Sequence, residues 1–292
     1  MKRRASEKIY YAANTCLLSL ISLITLFPLY YVFVVSFTEP SEFIRGGVIL
    51  FPRTWTTISY EYLLSTRTFI RSILNSGFLA TVGTLSSLIV TSGLAYMLSR
   101  KRLVGRRVIT LLILLTILFS PGMIPNYLVV RELGLINQIW ALIIPALSSG
   151  WYVLLMKGFF DSIPESLEEA ATIDGCNDVG IWLRIILPLS LPAMAAFGLF
   201  FAVGYWNTYF SAVLYINNPA KWPLQILLQN LLVDPYMAGG SEGAYVGSEQ
   251  LNLPPEGLKM AAIVMTTIPI LLVYPFLQKH FAKGAMVGSV KE

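Results

Sequence analysis

Six apolar runs dominate this chain, at residues 14–37, 73–98, 108–130, 137–156, 185–214 and 260–278, and none of them contains Asp, Glu, Lys, Arg or His. Each is near or above the roughly 20 residues that a helix needs to cross a bilayer. Lipid offers no water to a free backbone N–H or C=O, so a run of this kind crosses as a helix. The expected fold class is therefore all-α integral membrane, with six transmembrane helices. The mean hydropathy of +0.67 and a charged share of only 13% fit that class. Internal prolines (Pro28, Pro121, Pro125, Pro145, Pro188, Pro192, Pro269, Pro275) are expected to be tolerated, because neighbouring helices and local adjustment re-satisfy the freed groups.

Orientation follows from the bases. Lys2, Arg3, Arg4 and Lys8 precede the first run, and Arg100, Lys101, Arg102, Arg106 and Arg107 crowd the short second loop. With six crossings these segments share a side with residues 157–184 and with the tail carrying Lys279, Lys283 and Lys291. That side holds 14 of the 21 bases and is read as cytoplasmic, with both termini on it. The first run is too long for a signal-peptide core and no small-residue cleavage site follows Ser36-Phe37, so it reads as a retained signal anchor.

Several mechanisms are excluded. Ion-coupled pumps rely on ionisable groups at membrane depth, and these runs have none. A hydrolase needs a nucleophile with a base, yet the single histidine, His280, sits at the end of the last run. No Gly-x-x-x-x-Gly-Lys-Ser/Thr phosphate loop occurs, so energy for work must come from another subunit. The chain reads as non-enzymatic, with no cofactor. Cys16 and Cys176 are expected at different depths, which argues against a disulfide or a metal site. The net charge of +5 is accounted for by bases at lipid headgroups, so nucleic acid is not implied.

The loop between the fourth and fifth runs carries the clearest local signal. Ser162 and Glu165 stand in capping-box spacing, Asp161 and Glu165 place negative charge at a helix N-terminus, and Gly175 suits its end. A helix of about three turns is expected, with Ile163, Leu167, Ala170 and Ala171 on one apolar face. From Lys157 to Arg184 six acids oppose two bases, a net charge of −4. Beside an anionic leaflet that charge favours a basic protein surface as the neighbour. A capped interfacial helix with no partner is the alternative reading.

Glu169-Ala170-Ala171, Asp174-Gly175 and then Ile185-x-Leu187-Pro188 resemble the EAA loop of the inner-membrane permease subunits of binding-protein-dependent ABC importers. Only Cys176 departs, standing where alanine is common. Gly46-Gly47 before Phe51-Pro52, Leu98-Ser99-Arg100, Ile124-Pro125, Tyr205-Trp206-Asn207 and Leu253-Pro254-Pro255-Glu256 extend the likeness to carbohydrate importers of the maltose type, most closely to the branch importing complex or polysaccharide-derived oligosaccharides. It covers about residues 14–292.

The resemblance implies a type I ABC importer permease in a bacterial cell membrane. It implies an N-terminal stub, first helix and outer segment at 1–72, a five-helix core at 73–282 with the EAA loop at 162–188, and a C-terminal tail at 283–292. Residues 163–175 become a coupling helix seated in a cytoplasmic ATPase. Glu169, Ala170, Ala171, Asp174, Gly175, Leu187 and Pro188 are the implied coupling residues, and Gly284 to Lys291 a second ATPase contact. The implied partners are a second homologous permease, two ATP-binding subunits, an extracytoplasmic solute-binding protein, an oligosaccharide and membrane lipid.

In the fifth run, Asn207 beside Tyr205, Trp206 and Tyr209 combines an amide with aromatic rings, the chemistry that binds sugar hydroxyls and covers sugar faces. An interhelical role for Asn207 and for serines such as Ser87, and an outer aromatic belt for the rings, are the alternatives. Arg45, Arg53, Arg67 and Arg71, expected outside, favour an acidic oligosaccharide. An ATP-independent facilitator and a membrane scaffold are the competing functions; the first predicts activity from the lone chain and leaves the acidic loop unexplained, and the second makes the polar fifth run mere packing.

Overall fold

The computed structural model describes residues 5–44, 47–233 and 255–285. Contacts divide the chain into two units, residues 1–70 with 228–268 and residues 71–227 with 269–292. The described elements are helical, and the one extended pairing among them is an isolated bridge between Thr38 and Trp55.

In the first unit, α1 (Ala5–Ser36) runs for 32 residues straight through Pro28. Its sides stay exposed at Leu17, Leu23, Ile24 and Leu29, as a helix facing acyl chains requires. Ser22 and Thr25 hide their hydroxyls by donating to the Leu18 and Ile21 carbonyls, at 2.8 and 3.1 Å. Only the C-terminal end is buried, at Val34, Val35 and Ser36. There Ser36 Oγ lies 2.6 Å from Tyr60 Oη, and the Phe37 ring packs 4.6 Å from that of Tyr60. Two short helices, α2 (Pro40–Ile44) and α3 (Ile58–Ser65), flank a turn in which the Glu42 carboxylate accepts from the Arg53 and Thr54 amides at 2.9 and 2.8 Å.

Helix α4 (Arg67–Ser99) is the second long apolar helix. It starts six residues before the apolar run does, so Arg67 and Arg71 lie on it. One π-turn interrupts it at Leu79–Gly83. In the second unit it is followed by α5 (Arg106–Leu118) and α6 (Met123–Glu132), then α7 (Trp140–Ala146) and α8 (Gly150–Phe160). Next come α9 (Ser166–Ile173), α10 (Asp178–Leu189), α11 (Leu191–Trp206) and α12 (Phe210–Tyr215). The core gathers α4, α8 and α11 around Leu79, Ala95, Met156, Phe160, Phe197 and Phe201. Two further helices complete the described chain, α13 (Leu224–Val233) and α14 (Pro255–Ala285).

Among the described residues, three helices are by themselves long and apolar enough to cross a membrane: α1 from Tyr10, α4, and α14 as far as Val273. The other three apolar runs are each a bent pair, α5 with α6 at 118°, α7 with α8 at 51° and α10 with α11 at 86°, giving up to six crossings if every pair counts once. The continuous spans expected at 108–130, 137–156 and 185–214 are thus broken. The causes are local. Ser120-Pro121-Gly122 interrupts the first, with Gly122 at φ +85, a conformation that side chains with a Cβ disfavour. Pro188 and Pro192 flank the Ser190 break: Pro188 removes a rung of the ladder before it, and Pro192 stands in the first turn of α11, where its N–H would have no partner in the helix. Residues 234–254 and residues 286–292 of the tail lie outside the described residues.

Candidate functional site

Helix α9 is shorter than its sequence suggests and starts differently. Ser162 lies in the turn that follows α8, its hydroxyl donating 2.6 Å to the Phe159 carbonyl instead of capping a new helix. Pro164 follows, and α9 begins at Ser166 with no side-chain cap, giving eight residues, or two turns. The capping box fails because both partners are engaged elsewhere: Glu165 turns to Lys101, 2.6 Å away. The C-terminus follows expectation. Gly175 takes φ +83, Cys176 N–H bonds the Ala171 carbonyl at 2.9 Å and Gly175 N–H bonds that of Thr172 at 3.0 Å, a Schellman closure.

The faces also divide differently. Glu168 and Ala171 point inward and are buried, whereas Leu167 is 42% exposed, Ile173 is 86% exposed and Ala170 is open. The apolar surface that α9 offers outward is therefore Leu167, Ala170 and Ile173, with Glu169 beside it. Covering an isoleucine so exposed is worth about 1.5–3 kcal/mol to whatever docks there.

Charge is settled mostly within the chain. The α4–α5 loop meets the acidic loop with four cross-loop pairs: Arg100 with Glu168, Lys101 with Glu165, Arg102 with Asp178, and Arg106 with Asp161 at 3.7 Å. Lys157 adds a fifth contact, 2.5 Å from Asp161. The basic neighbour expected of a −4 loop is thus this protein's own second loop. Glu169 and Asp174 are left, both exposed and without an ion pair among the described residues.

The pairs are unequal. Arg100 and Glu168 have side chains only 12% and 11% exposed, and losing one partner of such a pair costs about 3–5 kcal/mol. Burial draws the Arg100 guanidinium below its ordinary value, opposed by Tyr96 and Asp161, though a guanidinium stays charged in proteins. The Lys101–Glu165 and Arg102–Asp178 pairs are open to solvent and screened by salt, while the two contacts to Asp161 are partly shielded. The hydrogen bond from Lys101, aided by its charge, holds the Glu165 carboxyl below the ordinary range. Stability from that contact is present above the ordinary carboxylate pKa and lost as pH falls through the lowered one. Between loop and helix lies an open groove of about 780 Å³, floored by Arg100, Phe160 and Glu168 and rimmed by Glu169 and Ile173.

Helix α10 opens with Asn177 as cap, Oδ1 accepting from Gly180 N–H at 2.8 Å. A π-turn at Trp182–Ile186 precedes Leu187 and Pro188, the first half-buried and the second exposed. Pro188 cannot donate to the Arg184 carbonyl, which frees the ladder to widen there.

The aromatic group near the end of α11 separates into two pairs. Tyr205 and Trp206 are buried, at 4% and 8% exposure. Tyr205 Oη lies 2.9 Å from Ser87 Oγ on α4, and its ring covers Gly83, where an added Cβ would stand 2.8 Å away. Asn207 and Tyr209 face outward. Asn207 donates 2.9 Å to the Val203 carbonyl and accepts 3.1 Å from Gln225 Nε2. Gln225 went unnoticed in the sequence because it lies 18 residues on, inside an apolar stretch. The clasp of Arg100 with Glu168 was missed too, although a five-base loop beside a six-acid loop was the signal.

The sequence pattern of the family described as binding-protein-dependent transport system inner membrane component matches residues 87–287. Among curated proteins, the polygalacturonan/rhamnogalacturonan transport system permease protein YtcP of Bacillus subtilis is 46% identical over all of both chains. Protein LplC of the same organism is 44% identical over all of this chain and 98% of its own. Among solved structures, a chain of a bacterial ABC transporter involved in the import of the acidic polysaccharide alginate superposes with a TM-score of 0.89 at 34% identity, covering 96% of this chain and 99% of that one.

Proposed function

The chain belongs to the family of binding-protein-dependent transport system inner membrane components, and from that premise we infer that it is one permease subunit of an ABC importer for an acidic, uronate-containing oligosaccharide. The observation that carries the substrate class is full-length similarity to a permease named for polygalacturonan and rhamnogalacturonan, joined by the likeness to an alginate importer chain. Both names denote acidic polysaccharides. Arg67 and Arg71, exposed on α4, suit such a ligand.

The work is divided among subunits in this reading. Two cytoplasmic ATPases hydrolyse ATP, a second homologous permease completes the pathway, and an extracytoplasmic binding protein delivers the sugar. The termini and the α9 side face the cytoplasm. ATP binding shifts the permease between inward- and outward-facing states only as far as it contacts them differently. Helix α9 is the contact: Leu167, Ala170 and Ile173 fill an apolar groove, Glu169 meets a base there, Ala171 and Gly175 seat and end the helix, and Asp174, Leu187 and Pro188 complete the coupling surface. A facilitator acting alone would leave that exposed face, and a Glu169 without an ion pair among the described residues, without a purpose.

The test is reconstitution of this chain with its partner permease, ATPases and binding protein in proteoliposomes. Oligogalacturonides are expected to stimulate ATP hydrolysis and to accumulate inside, whereas neutral maltooligosaccharides do neither. Import by vesicles holding this chain alone, or stimulation by neutral sugars only, would overturn the reading.

Asn207, Gln225 and Tyr209 are the substrate-path candidates that this conformation leaves open. Asn207→Ala is expected to lower the uptake rate roughly tenfold, since losing a hydrogen bond from a polar site costs about 1–3 kcal/mol. Assembly, judged by copurification of the ATPase, should be unchanged. Normal uptake at normal expression would move the path elsewhere.

A further inference from the structure

We propose that Arg100 and Glu168 form a rigid clasp through which α4 receives the displacement of α9, making Arg100 a positioning residue for coupling. The proposal rests on the reading that α9 takes the push of the ATPase. Covalently, α9 continues only into α8 and α10; 66 residues separate the end of α4 at Ser99 from the start of α9 at Ser166. Backbone connectivity therefore offers α4 no direct share in that motion.

The side chains supply one. Glu168 is a buried charge on the inner face of α9. Its partner is itself held at three points. Arg100 Nε and a terminal nitrogen donate to Ser99 Oγ at 3.0 and 2.8 Å, and the guanidinium lies 4.7 Å over the Tyr96 ring. Tyr96 and Ser99 are the last turn of α4, so Arg100 is fastened to that helix before it reaches Glu168. Arg106 closes a second staple, Nε donating 2.7 Å to the Leu98 carbonyl while its guanidinium faces Asp161 at the end of α8. Lys101 with Glu165 and Arg102 with Asp178 span the same gap, but their charges are open to water and salt. The Arg100 pair is the most shielded of the five, so salt screens it least, and two of the guanidinium nitrogens are fixed on Ser99 while the third meets Glu168. Beyond the clasp α4 packs along α8 and α11, and so carries motion toward Tyr205 and the Asn207 turn.

Two measurements on the reconstituted complex decide this. Arg100→Gln is expected to reduce ATP-driven import roughly tenfold, the size of effect single residues have on coupling between sites. Because Glu168 then lacks its cation, the yield of folded complex is expected to fall; per assembled complex, basal ATP hydrolysis should stay at the wild-type level, and Arg100→Lys should recover part of the import. The second keeps the clasp intact: spin labels at Val104→Cys and Ser166→Cys, with Cys16 and Cys176 changed to serine, report the loop-to-α9 distance. The same separation with and without ATP is expected. A distance that changes with nucleotide, or full import by Arg100→Gln, would overturn the clasp while leaving the importer standing; no ATP-driven import by the wild type would remove both.

Discussion

Glu169→Lys is expected to abolish most ATP-driven import while leaving a folded, membrane-inserted chain. Glu169 is exposed on α9 and has no ion pair among the described residues, so its replacement breaks no such pair and should change stability by no more than about 0.5 kcal/mol. Its neighbours differ. Changing Glu168 would strand Arg100 in a buried place, and changing Glu165 would free Lys101. The effect of Glu169→Lys must therefore arise at a partner's surface. Removing one member of a desolvated interfacial charge pair costs about 2–5 kcal/mol, which weakens docking at least roughly 30-fold at 1.4 kcal/mol per tenfold. Reversal of sign adds repulsion. Expression level, copurification of the ATPase and import into proteoliposomes together read the outcome. Wild-type import with a full complement of bound ATPase would show that α9 does not carry the coupling.

The second large effect lies in the packing of α8. An added Cβ at Gly150 would stand 2.9 Å from Ile117 Cγ1, 3.0 Å from the Ile113 carbonyl oxygen and 3.0 Å from Thr116 Oγ1. One of these obstacles is backbone of α5, which cannot rotate aside. Gly150→Leu must push α5 and α8 apart, and overpacking of this kind costs about 1–3 kcal/mol or more. In membranes the close approach of helices at small residues supplies much of their attraction, so the loss is doubled in kind. The expected result is a marked fall in the yield of monodisperse protein in detergent and a clearly lowered midpoint of thermal unfolding. Gly158→Leu is the control: it lies on the same helix and nothing stands within 4 Å of its added Cβ. Equal behaviour of the two variants would show that α5 and α8 do not meet in this way.

How far a reader of residues alone could go differs from place to place. Helical secondary structure and membrane residence were legible, because a bilayer leaves an uncharged run of about 20 residues no other way to satisfy its backbone. Gly175 was legible for a similar reason, since a helix end that needs positive φ selects glycine. The bends were less so. Pro28 lies within α1 without ending it, while Pro121 and Pro188 accompany breaks at Gly122 and Ser190. A proline's consequence depends on what neighbouring helices do with the freed carbonyls, which the residue itself does not encode.

The acidic loop shows the division most clearly. Its composition, a net charge of −4, determined that a basic surface would lie against it. Only the tertiary structure decided that this surface is the loop from Arg100 to Arg106, which of the acids it neutralises, and that Glu169 and Asp174 are left over. Likewise Tyr205, Trp206, Asn207 and Tyr209 are adjacent in the chain, yet folding buries the first two and exposes the second two. Membrane class and helix ends come from interactions that are local or with the solvent, and each residue carries those with it. Pairing across 68 positions depends on where two helices end in space, and that is a property of the packed whole.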